Sequence, residues 1–384
     1  MTTPPAPPAA QIVLQNTQAL HTQSLQFKTA DGTVLTGELS LPSGATPGQK
    51  FPTVVLLHGS GPNDLNETLP EQVAGVPGGS AVFLQIAQQL NRQGFAVVRF
   101  NKRGVLGVGP QVLPAAQRTG KAFTVSGYVQ DALTVLNVTR KLSAVNPAQV
   151  FLLGHSEGTM LAASIAKQHP ELIKGLVLIG TVGHSFRDTL HFQVVDRPLA
   201  QLHELFDTNK DGFLTIPELL DTMKKFGIPP ASQADGLGLV PKGDSWVFAP
   251  SLNADAQGRV NIDRDLKAHL KSLFAPFPNL PGLPAQEVLY LSDAENFGSV
   301  TTLLPGYKGP VLMLHGELDA QTVLDGANRA FKAIQDGGNM QAKLIVYPGL
   351  GHSLSPMKGG VPTLGPMEPK PLNDLTDWLK QVLK

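Results

Sequence analysis

The chain of 384 residues contains no cysteine. That excludes disulfide staples, thiolate-bound metal and a cysteine nucleophile, and it fits any compartment. Net charge is missing too. Thirty Lys and Arg balance thirty Asp and Glu, so no overall field draws the protein to nucleic acid or to an acidic membrane. No apolar run approaches the ~18 residues that span a bilayer, and no transmembrane segment is expected. The opening MTTPPAPPAAQ has neither the basic nor the apolar region of a signal peptide. Residues 1–23 read as a disordered Pro/Ala-rich tail, of the kind left beyond a processed signal. This tilts the expectation towards a secreted or periplasmic protein, while a cytosolic protein with a loose end reads the same way.

What is present is an apolar content of 42%, enough for a large core. SLQFKTADGTVLTGELSLP alternates and turns at Asp31-Gly32, as a β-hairpin does. FPTVVLLHGSGP is a strand buried on both faces that runs into a Gly-rich loop. Thereafter strands and helices alternate: SAVFLQIAQQLNRQG, FAVVRF, VSGYVQDALTVLNVTRKL, the strand and helix of residues 149–166, and IKGLVLIG. The rhythm returns with GPVLMLHGELD, NRAFKAIQDGG, AKLIVYPGLGH and LNDLTDWLKQVLK. Such alternation predicts an α/β fold with a mostly parallel, doubly wound sheet. Residues 184–305 break the rhythm, and an insertion after the sixth core strand is expected to lie over the strand ends as a largely helical cap. The core then comprises residues 24–183 and 306–384.

QVFLLGHSEGTMLAASIA, residues 149–166, is a short apolar strand, a Gly-His-Ser-Glu-Gly turn and a helix of small residues. In that context GxSxG marks Ser156 as a nucleophile held on a strained turn, with Gly154 and Gly158 letting strand and helix approach. The order Ser156, Asp319, His352 on this pattern resembles the α/β-hydrolase superfamily, on its serine esterase and lipase side.

The resemblance implies the remaining roles. His352, in PGLGHSLS after the last strand, stands where the family keeps its base, which a serine hydroxyl needs at neutral pH. Asp319, at the end of LHGELD, would accept the other imidazole N–H; Glu317 is its neighbouring rival. The oxyanion donors would be the backbone N–H of Glu157 and that of Ser60 in HGSGPND, with Gly61 a close alternative. His58, His155 and His315 are expected to pack or to bond loops. One departure is that Asn101-Lys102-Arg103-Gly104 lacks the acidic residue many relatives carry before Arg-Gly, which bears on loop bracing. GVLGVG, residues 104–109, only half-resembles a dinucleotide fingerprint, and no organic cofactor is expected.

Within the insertion FDTNKDGFLTIPELL resembles an EF-hand. Asp207, Asn209 and Asp211 supply oxygens, Gly212 the bend, Phe213 a carbonyl, Thr215 a direct or water-borne ligand, and Glu218 a closing bidentate carboxylate. Calcium is expected there in a structural role, although Thr215 and Glu218 also compose a helix capping box. LNADAQGRVNIDRDL repeats the outline 46 residues on, with Asn253, Asp255, Gln257 and Gly258 in register. Arg264 stands where the bidentate carboxylate belongs, so residues 253–264 read as a degenerate, metal-free partner, with chance similarity the rival. Val260 matches Leu214, the position through which paired loops join.

The expected activity is hydrolysis of a small-molecule carboxylic ester through an acyl-enzyme. A peptidase or amidase with the same triad is the alternative, and a non-catalytic calcium-binding interaction protein is the rival from another class. The acyl-chain preference and oligomeric state are not legible in the sequence.

Overall fold

The computed structural model describes residues 20–109, 111–358 and 361–384. Most of the expected disordered tail therefore lies outside the described residues. Its last part does not: strand β1 (His21–Lys28) begins inside it, because His21 pairs with Leu41 of β2 (Val34–Leu41). The other strands of the sheet are β3 (Phe51–Leu57), β4 (Ala96–Phe100), β5 (Val145–His155), β6 (Gly175–Ile179), β7 (Val311–Gly316) and β8 (Ala342–Tyr347). Their order across the sheet is β1-β2-β4-β3-β5-β6-β7-β8. The β1–β2 and β2–β4 pairs are antiparallel and all the others parallel, so the doubly wound sheet expected from the sequence is present.

The unbroken apolar character of the central strands has a direct cause. Val54, Val55, Leu56 and Leu57 are all fully buried, as required when helices cover both faces. On one face α1 (Val82–Arg92) and α5 (Pro369–Val382) pack against each other. Phe83, Ile86 and Leu90 of α1 join Leu375, Trp378 and Leu379 of α5 over Val54, Leu56, Phe151 and Leu153. The three- and four-residue spacing of these side chains forms the apolar stripe of each helix. Gly94, at φ +90°, ends the first of them. Helices α2 (Val125–Thr139), α3 (Glu157–Gln168) and α4 (Leu324–Asp336) complete the core, with α2 and α3 in mutual contact.

The chain forms two compact units, one ending at Phe186 and resuming at Asp293, the other Arg187–Ser292. The second is shorter than the insertion expected from the sequence. Residues 293–305 belong with the sheet because the Asp293 carboxylate accepts from the Ser126 N–H (2.8 Å) and hydroxyl (2.7 Å), and Val300 N–H donates to Val182 O (3.0 Å). The second unit is mostly helical, with two small strand pairs: Leu239–Lys242 with Ser245–Phe248, and Phe213–Leu214 with Val260–Asn261. Among the described residues no helix is long and apolar enough to cross a membrane.

Candidate active site

Strand β5 ends at His155 and α3 starts at Glu157, which leaves Ser156 alone to turn the chain. It does so at φ +55°, ψ −120°, a region that costs an L-residue of order 1–3 kcal/mol. The turn is held by Ser156 N–H donating to Ile179 O (2.9 Å) at the end of β6, and by Ser156 O accepting from Thr159 N–H (2.9 Å) and its hydroxyl (2.6 Å). The flanking glycines are required by contact. A Cβ on Gly154 would lie 2.2 Å from Gly158 O, and one on Gly158 would lie 2.1 Å from Leu57 O. Both obstacles are backbone and cannot rotate away.

His352 lies in the loop after β8, and Asp319 just beyond the end of β7. The imidazole Nδ1 donates to Asp319 Oδ2 at 2.8 Å. Both residues are buried, and the Asp319 carboxylate is further engaged by Gln321 N–H (2.8 Å), Thr322 N–H (2.8 Å) and the Thr322 hydroxyl (2.9 Å). Burial works to raise the pKa of Asp319, but the His352 and His315 imidazoles and the Thr322 N–H outweigh it and hold the carboxyl well below the usual carboxylate range. Glu317, the rival carboxylate, turns instead to Gly349 N–H (3.1 Å). The His352 ring presses on Gly180, where a Cβ would meet Cε1 at 2.8 Å. Gly180 directly follows Ile179, whose carbonyl holds the Ser156 N–H. The His352–Asp319 pair lies at the C-terminal ends of the parallel strands, where open α/β sheets place their sites, and the His352 ring centroid is 5.0 Å from that of His155, the residue before Ser156.

The loop after β3 completes the surroundings. Gly59 lies beside the serine, with its absent Cβ 3.2 Å from Ser156 Cβ. Its N–H donates to Glu67 Oε1 (2.7 Å), and its carbonyl accepts from Lys102 Nζ (2.8 Å) and Asn63 Nδ2 (2.9 Å). Ser60 follows, and Gly61 takes φ +86°. Asn101 Oδ1 accepts from Leu65 N–H (2.8 Å) while its amide donates to Thr36 Oγ1 (2.9 Å). An amide therefore braces this loop where the sequence lacks the family's acidic residue. Arg103 spans Asp131 and Asp31.

Sequence reasoning missed Glu67 and Lys102. Glu67 Oε2 meets His155 Nδ1 at 2.8 Å, and Lys102 meets Glu157 Oε1 at 2.8 Å, both in the interior. Burial acts to lower the pKa of His155, but Glu67 overrides it and raises it. The signal for Lys102 was a polar quartet placed directly after a wholly buried strand; nothing in the sequence distinguished Glu67. His315 has its Nδ1 accepting from Thr181 N–H (3.2 Å) and Nε2 facing Thr322 O (2.7 Å), so it bonds loops as expected. His58 packs on Phe83 and Phe100, with ring centroids at 5.2 and 4.9 Å.

In the second unit, the loop of residues 207–218 turns on Lys210 (φ +60°) and Gly212 (φ +77°). Asp207 is buried and accepts from Asp211 N–H (3.2 Å) and Gly212 N–H (3.0 Å); Asn209 Oδ1 accepts from Asp211 N–H (2.9 Å), and Asp211 Oδ1 from Phe213 N–H (2.9 Å). Leu214 pairs with Val260, the register the two loop sequences suggest. Glu218 Oε2 caps the helix Ile216–Phe226 by accepting from Thr215 N–H (3.0 Å) and hydroxyl (2.8 Å). Among the described residues no three carboxylates or imidazoles are gathered closely enough to hold a metal ion. The donor chemistry, three carboxylates and an amide on a short bent loop, is that of a hard-cation site. In the partner loop Asp255 is taken by Arg259 (2.9 Å), whose guanidinium lies 4.5 Å over the Phe213 ring. Arg264 pairs with Asp265 through two 2.8 Å bonds.

Comparison with known proteins gives these likenesses, among others. Esterase EstD of Thermotoga maritima is 32% identical over 208 residues, which cover 53% of this chain and 43% of that protein. The chain thus spans under half the length of this relative. An esterase structure from the fungus Rhizomucor miehei superposes with TM-score 0.52 at 14% identity, covering 97% of this chain and 86% of the other. A hypothetical protein from Pseudomonas aeruginosa gives 0.50 at 14% identity, covering 94% of each. Both structures speak for the fold alone. The family model of the alpha/beta hydrolase fold matches residues 52–356, and with the sheet order and elbow described above, the chain belongs to the α/β-hydrolase fold family.

Proposed function

We propose that this protein is a serine hydrolase acting on carboxylic esters through an acyl-enzyme. The observation that carries the reading is the position of Ser156, at φ +55° on the elbow, directly after His155, whose ring lies 5.0 Å from that of His352, itself tied to the buried Asp319 carboxylate at 2.8 Å. His352 takes the hydroxyl proton as Ser156 Oγ bonds the acyl carbon, then gives it to the departing alcohol. Water, deprotonated by the same imidazole, releases the acid and restores the serine. Asp319 keeps the proton on Nδ1 and stabilises the imidazolium. Backbone N–H groups of Ser60 and Glu157 serve the oxyanion, each worth roughly 3–4 kcal/mol in such sites. The kinship with an esterase over half the chain favours esters over amides.

Calcium on Asp207, Asn209, Asp211, the Phe213 carbonyl, Thr215 and Glu218 is the second part of the proposal, as a stabiliser of the 187–292 unit. Glu218 would exchange its capping bonds for the ion. In the partner loop Arg259 already pairs with Asp255 and Arg264 stands where the bidentate carboxylate belongs, so one ion per chain is expected.

The test is hydrolysis of a short-to-long series of nitrophenyl acyl esters by wild type and Ser156→Ala, with and without chelator. Turnover that vanishes in the variant supports the serine esterase. Ester inertness with cleavage of aminoacyl anilides would replace it by an amidase. Failure with both, and no labelling by a fluorophosphonate, would leave a non-catalytic protein.

A further inference from the structure

Two donors proposed for the oxyanion sit on segments with no direct chain connection: the Gly59–Ser60 peptide after β3 and the first residue of α3. A single buried ammonium links them. Lys102 Nζ lies 2.8 Å from Gly59 O and 2.8 Å from Glu157 Oε1, with the Tyr128 ring centroid 4.3 Å away. We infer that Lys102, assisted by Asn63, is a positioning residue that sets the orientation of the Ser60 N–H and its distance from the Glu157 N–H. The inference rests on the serine-hydrolase reading.

The constraint lies in the peptide group. It is planar and trans, so its C=O and N–H point in opposite directions, and fixing one fixes the other. Gly59 O is gripped by Lys102 at 2.8 Å and by Asn63 Nδ2 at 2.9 Å, while the preceding Gly59 N–H is held by Glu67 at 2.7 Å. Restraint is needed here because glycine stands on either side of Ser60, and a Gly-flanked peptide rotates at little cost. The same ammonium then holds the Glu157 side chain at the head of α3, so the two peptide donors are registered against each other through one atom.

Stability alone does not explain this lysine. The side chains of Lys102 and Glu157 are 5% and 2% exposed. Replacing a buried ion pair by uncharged groups of similar volume is often neutral or stabilising. A pair kept for its fold would show its value in melting temperature, and one kept for the oxyanion would show it in the transition state.

The experiment compares wild type with Lys102→Met/Glu157→Gln, which removes both charges at near-constant volume. Melting temperature, kcat, KM for a nitrophenyl ester and inhibition by a trifluoromethyl ketone, whose adduct carries an oxyanion, are measured on each. The expected result is a melting temperature near that of wild type, kcat lower by roughly 10²–10³, KM within a few-fold, and ketone affinity reduced in step with kcat/KM. Asn63→Ala, on the exposed side of the clamp, covers the case in which the double variant does not fold: it should lower kcat several-fold and weaken ketone binding with KM unchanged. Wild-type kcat and ketone affinity in either folded variant would overturn the inference. So would a kcat loss without weaker ketone binding. A wild type inert to esters and to fluorophosphonate would instead overturn the serine reading, and this inference with it.

Discussion

His352 Nδ1 and Asp319 Oδ2 are 2.8 Å apart, while the carboxylate of Glu317, two residues nearer the strand, accepts from Gly349 N–H. The difference decides which carboxylate matters. Asp319→Asn should present the imidazole in the wrong tautomer and lower kcat by roughly 10⁴, whereas Glu317→Gln should leave kcat within a few-fold. Steady-state kinetics on one nitrophenyl ester separates the two, and equal losses would refute the assignment.

The positive φ of Ser156 predicts a trade between stability and activity. Glycine tolerates φ +55° without strain and alanine does not. Ser156→Gly should therefore be more stable than Ser156→Ala by about 1 kcal/mol, with both inactive. Urea unfolding of the two variants tests this; an alanine variant at least as stable as the glycine one contradicts the strain.

His58 should make the protein less stable as pH falls. Burial between Phe83 and Phe100 lowers its pKa from 6.5 to about 4, so the folded state binds fewer protons than the unfolded one between those values. The stability it contributes is fully present above pH 6.5 and is lost as pH falls towards 4, amounting to about 3 kcal/mol for a shift of that size. His155, raised by Glu67, works in the opposite sense. His58→Leu should flatten the fall in melting temperature between pH 6.5 and 4, and an unaltered profile would rule the histidine out as its source.

Calcium should raise the melting temperature of wild type, and chelator should lower it. Saturation at 100 times the dissociation constant stabilises by about 2.7 kcal/mol. Glu218→Ala should remove the response, and Arg264→Ala should not. Metal analysis should give one calcium per chain. A melting curve indifferent to both calcium and chelator would dispose of the site.

The sheet was legible because its central strands are apolar runs, its first two strands alternate, and its helices carry three- and four-residue stripes; these patterns are local. The elbow was legible for a similar reason, since its glycines are dictated by backbone that a Cβ would strike within one strand–turn–helix segment and its neighbouring strand. Glu67 and Lys102 were not legible. Each acts on Gly59 and on the elbow, and a lone charged residue in a loop carries no mark of a partner 55 or 88 positions away. The end of the insertion was misplaced for a related reason: the bonds that return residues 293–305 to the core, through Ser126 and Val182, are made by short polar groups without periodicity.

Those returning bonds also bear on the sheet itself. Strands β6 and β7 are direct neighbours, with Leu176 opposite Val311, and the segments leaving one and entering the other are stitched together at Val182 and Val300. Residues 187–292 thus form an excursion that departs from and returns to a closed frame. The two ends of that excursion are tied to each other by the frame itself, so the spacing of the strand ends that precede Ser156 and Asp319 is set by the sheet and the Val182–Val300 bond.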